Sequence, residues 1–214
     1  CSKPSKNKIM FQVETFCDHP NHANTYLVEN NHSVIIIDPA NHMKTLESFI
    51  GEKKVEAVFL THGHFDHFRM LKEVLEKYPV KCYLHPRAVD KITNLTDSCA
   101  SFFGIKNLPM IDEKRLIKVM DNQVICLPNF QVKVLYTPGH TNCSVVYLID
   151  DCMFSGDTLF KNSVGRTDLP TGSIMALDNS LKRLKGLKTN YRIYPGHDTC
   201  TSMDDELKSN HYLR

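Results

Sequence analysis

Several features of other protein classes are missing from this sequence. It has eight cysteines, but none forms a CxxC pair or a short regular spacing of the kind found in structural zinc sites. Lys and Arg (26) nearly balance Asp and Glu (24), and no block of basic residues provides a nucleic-acid-binding stripe. No apolar run approaches the ~20 residues that cross a bilayer. We therefore expect no nucleic-acid partner and no membrane association.

The overall composition is that of a soluble globular domain. Of the 214 residues, 42% are hydrophobic and 23% are charged, which provides enough apolar material for a large core. We expect a single domain over residues 1–214. No secretory leader is visible, so we expect a reducing, cytoplasmic location. The numbering begins at Cys1 rather than Met, so an upstream segment that targets an organelle stays an open alternative.

Apolar periodicity predicts strands and helices that alternate in two halves. In the first half, strands are predicted at 9–16, 25–28, 33–38, 55–60 and 80–84, and helices at 43–50, 69–78, 87–92 and 98–103. In the second half, strands dominate from 124 to 153, followed by a helix over 173–187 with Ser173 as its N-cap and a strand at 192–194. This order predicts helices packed on the outside of two sheets.

Four potential metal ligands lie within six consecutive positions. They are His62, His64, Asp66 and His67, which begin where the strand predicted at 55–60 ends. We therefore expect them in a strand-to-helix loop. A single histidine is more commonly a hydrogen-bonded core or surface group, but four ligand-type residues at this spacing indicate a metal site.

Three further ligand-type residues follow apolar strands later in the chain. They are His140 in YTPGHTN, Asp157 in FSGDTLF and His197 in IYPGHDT. Loops at one edge of a sheet system can bring such residues together, and Pro-Gly turns before both histidines allow close backbone approach. Five imidazoles and two carboxylates suit one or two first-row cations such as zinc, iron or manganese, and suit calcium or magnesium poorly.

These seven residues, in this order, resemble the signature of the metallo-β-lactamase superfamily. The resemblance covers residues from about 12 to 199. It implies an α/β fold, an αββα sandwich of two mixed β-sheets flanked by helices, with the metal site at one edge of the packed sheets.

The resemblance also implies two divalent metal ions, with zinc as the first candidate and iron or manganese as alternatives. One ion would be held by His62, His64 and His140 and the other by Asp66, His67 and His197, with Asp157 bridging them. Asp38, at the end of the strand predicted at 33–38, matches an acidic residue that steadies the histidine loop in this family. The other interpretation of Asp38 is a turn residue at a strand end.

Two segments resemble the glyoxalase II-like branch of the superfamily. They are TPGHT at 137–141 and SGDTLFKNSVGRTDLPTGS at 155–173, of which GRTDLP is similar to short hydroxyacylglutathione hydrolase-like members. The commonest zinc β-lactamases carry Cys where Asp157 stands. The resemblance thus implies a metal-dependent hydrolase that cleaves a small-molecule thioester, such as an S-acylglutathione, by attack of a metal-bound hydroxide that Asp66 orients.

The sequence departs from this branch in three places. The chain ends 17 residues after His197, so we expect the helical C-terminal domain of full-length glyoxalase II to be absent. Thr199 stands where a glutathione-contacting tyrosine is found, and Arg166 stands where a contacting lysine follows the bridging aspartate. Arg166 is therefore a candidate substrate-binding residue. The alternative is that Arg166 pairs with Asp168 or faces solvent.

Other functions fit parts of the same pattern. A persulfide dioxygenase of this superfamily shares the Gly-Arg-Thr-Asp stretch but uses one iron held by two His and one Asp, and a lactone hydrolase would use the same nucleophile. A metal-stabilised binding protein is the non-enzyme alternative. Structural zinc normally has four ligands and no open position, so seven intact ligand-type residues argue against that alternative. The oligomeric state stays open.

Overall fold

The computed structural model of the protein describes residues 11–19, 22–30 and 32–214. Residues 9 and 10 of the first predicted strand lie outside the described residues, and the rest of that prediction corresponds to a strand at Gln12–Phe16. Fourteen strands form two six-stranded sheets and one small hairpin within the described part of the chain.

The first sheet contains the strands of the N-terminal half in sequence order. They are β1 (Gln12–Phe16), β2 (Thr25–Glu29), β3 (Ser33–Ile37), β4 (Lys54–Phe59), β5 (Cys82–Leu84) and β6 (Leu116–Lys118). The pairs from β1 to β3 are antiparallel, and those from β3 to β6 are parallel. The sheet is therefore mixed.

The second sheet is built from the C-terminal half. Its strands are β7 (Val124–Cys126), β8 (Gln131–Tyr136), β9 (Val145–Ile149), β10 (Cys152–Gly156), β13 (Arg192–Pro195) and β14 (Thr201–Ser202), and their spatial order is β14-β13-β10-β9-β8-β7. Only β10 and β13 pair in parallel. The hairpin consists of β11 (Leu159–Phe160) and β12 (Ser163–Val164).

Helices connect the parallel strands and cover the outer faces of the sheets. They are α1 (Met43–Ile50), α2 (Phe65–Phe68), α3 (Leu71–Lys77), α4 (Pro86–Lys91), α5 (Ile174–Lys185) and α6 (Met203–Ser209). Short 3₁₀ turns occur at Ala100–Phe103, Glu113–Arg115 and His211–Leu213. Within the described residues, none of the helices is both long enough and apolar enough to cross a membrane.

Alternation along the strands explains the layered core. In β3, Ile35 and Ile37 face the second sheet and pack in one cluster with Tyr147 and Phe154, whereas Ile36 faces the helices on the outside. On the other side of the molecule, α5 packs its apolar face on the second sheet. The order of layers is therefore helix, sheet, sheet, helix, and the predicted fold class is confirmed.

Most predicted elements are present, with some corrections. The helix predicted at 43–50 forms as α1, and Ser173 caps α5 by accepting a hydrogen bond from Ala176 N at 3.3 Å. The prediction that all four clustered ligand-type residues lie in a loop was wrong, because Asp66 and His67 belong to α2. One turn of helix therefore aims these two side chains.

Candidate metal centre

The site lies where strands of both sheets end. In the first sheet, the parallel strands β3 and β4 end beside each other, which brings Asp38 next to the segment 62–67. In the second sheet, β8, β10 and β13 all run in the same direction, since β9 is antiparallel to both of its neighbours. The loops that leave their carboxyl ends carry His140, Asp157 and His197. The structure thus brings all seven predicted ligand-type residues together.

Three buried histidines form the first group of candidate ligands. His62 Nε2 lies 3.1 Å from His64 Nδ1, and His140 Nε2 lies 2.9 Å from the same atom. These three nitrogens all lie within 4.8 Å of one another, close enough to hold one ion. We call His62, His64 and His140 the nitrogen group.

The outer ring nitrogens of this group determine which inner nitrogens carry lone pairs. His140 Nδ1 lies 2.8 Å from the carbonyl oxygen of Arg166, and a carbonyl only accepts, so this nitrogen carries the proton. Thr61 donates its hydroxyl proton to Asp38, so Thr61 Oγ1 accepts from His62 Nδ1. The Nε2 lone pairs of both histidines therefore face the centre of the group, as metal coordination requires.

The second group combines a carboxylate with two histidines. His197 Nε2 lies 3.2 Å from Asp66 Oδ2, and His67 Nε2 lies 3.9 Å from the same oxygen. His67 is fully buried, whereas the His197 side chain is 28% exposed. We call Asp66, His67 and His197 the mixed group. The mixed group is therefore accessible to solvent on the side of His197.

Asp157 lies between the two groups and contacts both. Its Oδ2 atom is 3.3 Å from His140 Nε2 and 3.6 Å from His197 Nε2, and its Oδ1 atom is 3.3 Å from His67 Nε2. One carboxylate oxygen therefore faces both groups, and the second oxygen faces the buried histidine of the mixed group. This is the arrangement that a bridging ligand needs.

Asp38 supports the segment that carries the first four residues. Its carboxylate accepts hydrogen bonds from Thr61 N at 2.8 Å, Thr61 Oγ1 at 2.6 Å and His67 Nδ1 at 2.8 Å. His67 thus donates to Asp38 through one nitrogen and presents the other to the candidate metal position. Asp38 also has a positive φ of 50°, so it combines the strand-end turn with the contact to the histidine segment.

The two Pro-Gly turns lie so close to neighbouring residues that only glycine fits at their second position. A Cβ atom on Gly196 would lie 2.0 Å from Asp157 Oδ1, and one on Gly139 would lie 2.3 Å from Leu177 Cα. The turn before His140 therefore packs directly on α5, and the turn before His197 packs directly on Asp157. Any side chain at these glycines would have to displace a neighbour.

Unpartnered buried atoms test whether the site fits metal ions. Among the described residues, four buried side-chain atoms lack a hydrogen-bond partner, and two of them, His67 Nε2 and Asp157 Oδ1, lie 3.3 Å apart where the mixed group meets Asp157. A third, His64 Nε2, belongs to the ring whose other nitrogen faces the nitrogen group. Unpaired buried polar atoms are costly. Nitrogen and carboxylate donors suit zinc, iron or manganese. The residues therefore fit the metals that the sequence predicts.

The electrostatics of the site separate neutral imidazoles from ionised carboxylates. Burial, together with neighbouring histidines, lowers the pKa of His62 well below its usual value and that of His64 to about 3. Burial alone would raise the pKa of Asp66 and Asp157, but the surrounding histidines outweigh it and hold both values below normal. Neutral imidazoles and ionised carboxylates are the protonation states that bind metal.

The histidines of the mixed group differ from those of the nitrogen group. Burial lowers the pKa of His67, but the carboxylates of Asp157, Asp38 and Asp66 outweigh it and raise the pKa well above its usual value. The pKa of His197 is raised as well, because Asp157 and Asp66 outweigh the effect of burial. A cation bound at the mixed group would therefore compete with protons.

Arg166 lies at the rim of the site, and its side-chain partner was left open by the sequence. Its side chain forms a bidentate ion pair with Asp168, with both hydrogen bonds at 2.6 Å, and the two side chains are 63% and 66% exposed. Of the two alternatives, the structure has the pair with Asp168. The contact between the Arg166 carbonyl and His140 was not predicted, since a backbone acceptor leaves no mark in the sequence.

A cavity of about 510 Å³ opens in front of the two groups. Its wall includes apolar residues that the sequence analysis did not assign to the site: Cys99, Phe102, Phe103, Phe160, Val164 and Leu169. The apolar residues of 98–103 predict a helix. This segment forms a 3₁₀ turn at the mouth of the cavity instead.

The chain belongs to the metallo-beta-lactamase superfamily. The model of that superfamily matches residues 19–197, which include all seven ligand-type residues. With its His/Asp cluster, the chain is a member of a superfamily of metallo-hydrolases.

Two curated relatives agree with this assignment. A probable metallo-hydrolase of Streptococcus pyogenes is 30% identical over 216 residues, covering 96% of this chain and 91% of the relative. A probable polyketide biosynthesis zinc-dependent hydrolase of Bacillus subtilis is 27% identical over 188 residues, covering 86% of this chain and 76% of the relative.

Solved structures share the fold over nearly the whole chain. BLEG-1, a B3 metallo-beta-lactamase, superimposes with a TM-score of 0.86 at 25% identity, covering 94% of this chain and 99% of that protein. TTHA1623, solved in a di-iron-bound form, has a TM-score of 0.80 at 31% identity, covering 94% of this chain and 100% of that protein.

Proposed function

We propose that the protein is a metal-dependent hydrolase that cleaves a thioester such as an S-acylglutathione. The observation that carries this proposal is the position of Asp157 between two groups of ligand-type atoms beside an open cavity. An open position in front of the ligands is typical of a catalytic metal site, whereas a structural site is closed.

We propose that the ligands divide between two ions in the way that the superfamily resemblance implies. The nitrogen group would hold one divalent ion, the mixed group would hold the second, and Asp157 would contact both. Zinc is our first candidate, with iron or manganese as alternatives. When bound, such ions polarise a carbonyl oxygen and lower the pKa of bound water to about 7.

Asp66 is the residue we propose to orient the attacking water. It borders the cavity, and His67 and His197 hold its pKa below the usual value, so Asp66 is ionised at neutral pH and accepts a hydrogen bond. Water adds to the acyl carbon and the C–S bond breaks; one proton of the water ends on the departing sulfur and the other is released to solvent, so the products are a carboxylate and a thiol. A thiolate departs with little need for a general acid, so a single carboxylate in this role is sufficient.

The protein need not supply its own nucleophile for this reaction. Cys99 borders the cavity, but burial raises the pKa of its thiol and keeps it protonated at neutral pH. A protonated thiol is a poor nucleophile. The chemistry therefore falls to water and to the groups that hold it in place.

The test is hydrolysis of S-lactoylglutathione by freshly purified protein, with the metal content measured on the same sample. We expect turnover with about two metal ions per chain and its loss after chelation. His64→Ala and Asp157→Ala should remain folded and lose turnover. His32→Ala, which removes an exposed histidine outside the site, is the matched control and should keep full activity.

Other outcomes would identify the competing functions. Oxygen consumption with glutathione persulfide and one iron per chain would indicate a dioxygenase, and turnover of lactones alone would indicate a lactone hydrolase. Full metal loading without any turnover would indicate a binding protein. Near-native activity of both site variants would overturn the proposed mechanism.

A further inference from the structure

Two exposed aromatic rings stand at the mouth of the cavity. Phe102 is 73% exposed and Phe103 is 41% exposed, although the chain buries most of its other phenylalanines. Both lie on the 3₁₀ turn Ala100–Phe103 and both border the cavity. Adjacent exposed rings that are surrounded by polar groups mark a surface that binds an apolar partner group.

The turn that carries these rings has a defined conformation. It is flanked by Cys99 and Gly104, which have positive φ angles of 58° and 71°. Phe103 packs against Phe65 of α2 with the ring centroids 6.0 Å apart, and α2 also carries Asp66. The aromatic wall is thus attached to the element that presents part of the candidate metal site.

A second element also lines the cavity with apolar side chains. Phe160 and Val164 come from the β11–β12 hairpin, and Leu169 follows it. The hairpin is anchored by Glu206, a buried residue whose carboxylate accepts a hydrogen bond from Asn162 N at 2.8 Å. A group that enters the cavity would therefore meet apolar side chains from two separate elements.

The charges at the rim do not favour a carboxylate ligand. Among the described residues that border the cavity, Arg166 is the only Lys or Arg, and Asp168 pairs with its Nε and Nη2 atoms and so compensates its charge. Asp198, on the same rim, is negative. A substrate carboxylate at this rim would therefore meet a cation whose charge Asp168 already compensates, together with the negative charge of Asp198.

We infer that the site prefers thioesters with an uncharged apolar acyl group on an uncharged thiol, and that Phe102 and Asp168 set this preference. Phe102 provides contact area for the acyl group. Asp168 compensates the charge of Arg166 and so weakens the binding of carriers, such as glutathione, that bear carboxylates. This inference rests on the proposed thioester hydrolysis and narrows its substrate class: S-acylglutathiones, including S-lactoylglutathione, should still be hydrolysed, but with a lower kcat/KM than apolar esters of an uncharged thiol.

Three substrates separate the acyl group from the carrier: S-acetyl-N-acetylcysteamine, S-phenylacetyl-N-acetylcysteamine and S-phenylacetylglutathione. We expect kcat/KM to be at least about tenfold higher for the phenylacetyl than for the acetyl ester of N-acetylcysteamine, as a hydrophobic pocket allows. On one acyl group, N-acetylcysteamine should be preferred over glutathione. Equal values across the series would overturn the inference.

The acyl preference should depend on Phe102. In Phe102→Ala, we expect the phenylacetyl-to-acetyl ratio to fall to within about threefold of unity. Met110→Ala removes an 89% exposed apolar side chain outside the cavity and should keep the full ratio. An unchanged ratio in Phe102→Ala would show that this ring does not contact the acyl group.

The carrier preference should depend on Asp168. In Asp168→Asn, the glutathione-to-N-acetylcysteamine ratio should rise about tenfold, since the freed Arg166 is a good carboxylate partner. Asp178→Asn breaks another exposed ion pair, with Lys182 at 2.6 Å, and should leave the ratio unchanged. No rise in Asp168→Asn would overturn the role of Asp168.

Binding measurements distinguish failure of this inference from failure of the proposed function. Calorimetry with the thioether analogues, in which a methylene replaces the carbonyl, should show the same order of affinities. Binding in that order without any hydrolysis would overturn the thioesterase and leave the preference standing. Hydrolysis of all three esters without preference would overturn the inference alone.

Discussion

The two halves of the chain contribute to the candidate metal centre in different ways. The N-terminal half supplies four of the seven ligand-type residues from the single segment 62–67, whereas the C-terminal half supplies His140, Asp157 and His197 from three separate loops. Hydrogen bonds to the carboxylate of Asp38 support the N-terminal segment. The C-terminal residues depend on glycines that let backbones and side chains approach closely.

The difference indicates how each half should fail. Hydrogen-bonded support can be weakened in steps, because each partner contributes part of the orientation. Where ligands are held by close packing against glycine, metal binding should be lost in one step, because a single added methyl group forces a ligand to move. Substitutions in the two halves should therefore differ in the size of their effects on metal binding.

Gly196→Ala should have the largest effect on metal binding. The added Cβ would lie 2.0 Å from Asp157 Oδ1 and 2.7 Å from His67 Cε1, so at least one candidate ligand must be displaced. We expect the affinity for zinc to fall about 100-fold, the upper end of the range seen when the orientation of metal ligands is disturbed. Competition with a chromogenic chelator measures this affinity without any assumption about the substrate.

A glycine outside the site serves as the control for that substitution. Gly186 ends α5 with a φ of −76°, and a Cβ there would approach no atom closer than 3.4 Å. Gly186→Ala should bind zinc as the native protein does. Native affinity in Gly196→Ala would mean that the C-terminal half tolerates displacement, and the contrast between the halves would disappear.

Asp38→Asn tests the support of the N-terminal segment. Asparagine has nearly the same shape and tolerates the positive φ of 50°, but its amide brings a donor to a carboxylate position that accepts three hydrogen bonds. We expect zinc affinity to fall about 10- to 100-fold, as is usual when the partner of a ligating histidine is changed.

Thr61→Val provides the comparison for Asp38→Asn. It removes the hydroxyl that donates to Asp38 and accepts from His62, and it leaves the contact between Asp38 and His67 in place. Its effect on zinc affinity should be smaller. An equal or larger effect would place the main support of the segment at Thr61.

Lys91→Met tests a contact that joins the histidine segment to the cavity wall. Lys91 is 3% exposed, and it donates from Nζ to the Asp97 carbonyl and to Thr171 Oγ1, both at 2.9 Å. Its aliphatic part packs against Gly63, where a Cβ atom would lie 2.9 Å from it. Methionine keeps this packing and removes the ammonium group.

The expected effect of Lys91→Met is on stability more than on metal binding. Loss of hydrogen bonds from a charged group should lower the free energy of unfolding by about 2 kcal/mol, which urea denaturation measures. Lys77→Met removes an exposed lysine paired with Glu47 at 3.3 Å, and it should cost less than about 1 kcal/mol. Equal losses of unfolding free energy in both variants would mean that the buried hydrogen bonds of Lys91 stabilise the fold no more than an exposed ion pair does.

The sequence predicts the regular parts of this structure and misses the short ones. The periodic apolar residues of 43–50 predict α1 because one face packs on the first sheet. In contrast, β6 and the β11–β12 hairpin were not predicted, since two or three residues are too few to show a period. The segment of α6 was missed too, and one of its two buried residues is the charged Glu206.

The candidate site divides in the same way. The dense spacing of ligand-type residues in 62–67 predicts a metal site from the sequence alone. The three separate residues of the C-terminal half are predicted because each follows an apolar strand. The carbonyl of Arg166 has no sequence signature, and the burial of Lys91 contradicts its charge. Phe102 was read as part of a helix, and only the structure shows its ring exposed at the cavity.

His85 connects the two halves, and its charge provides the subtlest test. Its Nδ1 accepts a hydrogen bond from Arg87 N at 3.2 Å at the start of α4, and its ring stacks on Tyr136 with the centroids 4.5 Å apart. Tyr136 donates to the carbonyl of Asn142, in the loop that follows His140. Burial and the nearby Arg87 lower the pKa of His85 from 6.5 to about 4.

The sign of the pH effect follows from this lowered pKa. Between pH 6.5 and 4 the unfolded chain binds the proton and the folded protein does not, so the contribution of neutral His85 is complete above pH 6.5 and is lost as the pH falls towards 4. His85→Asn keeps an N-cap acceptor but cannot titrate. In urea unfolding from pH 7.5 to 4.5, native protein should therefore lose stability relative to the variant. Parallel curves would mean that His85 does not couple protonation to folding, and the link between α4 and the His140 loop would then depend on Arg87 and Tyr136 alone.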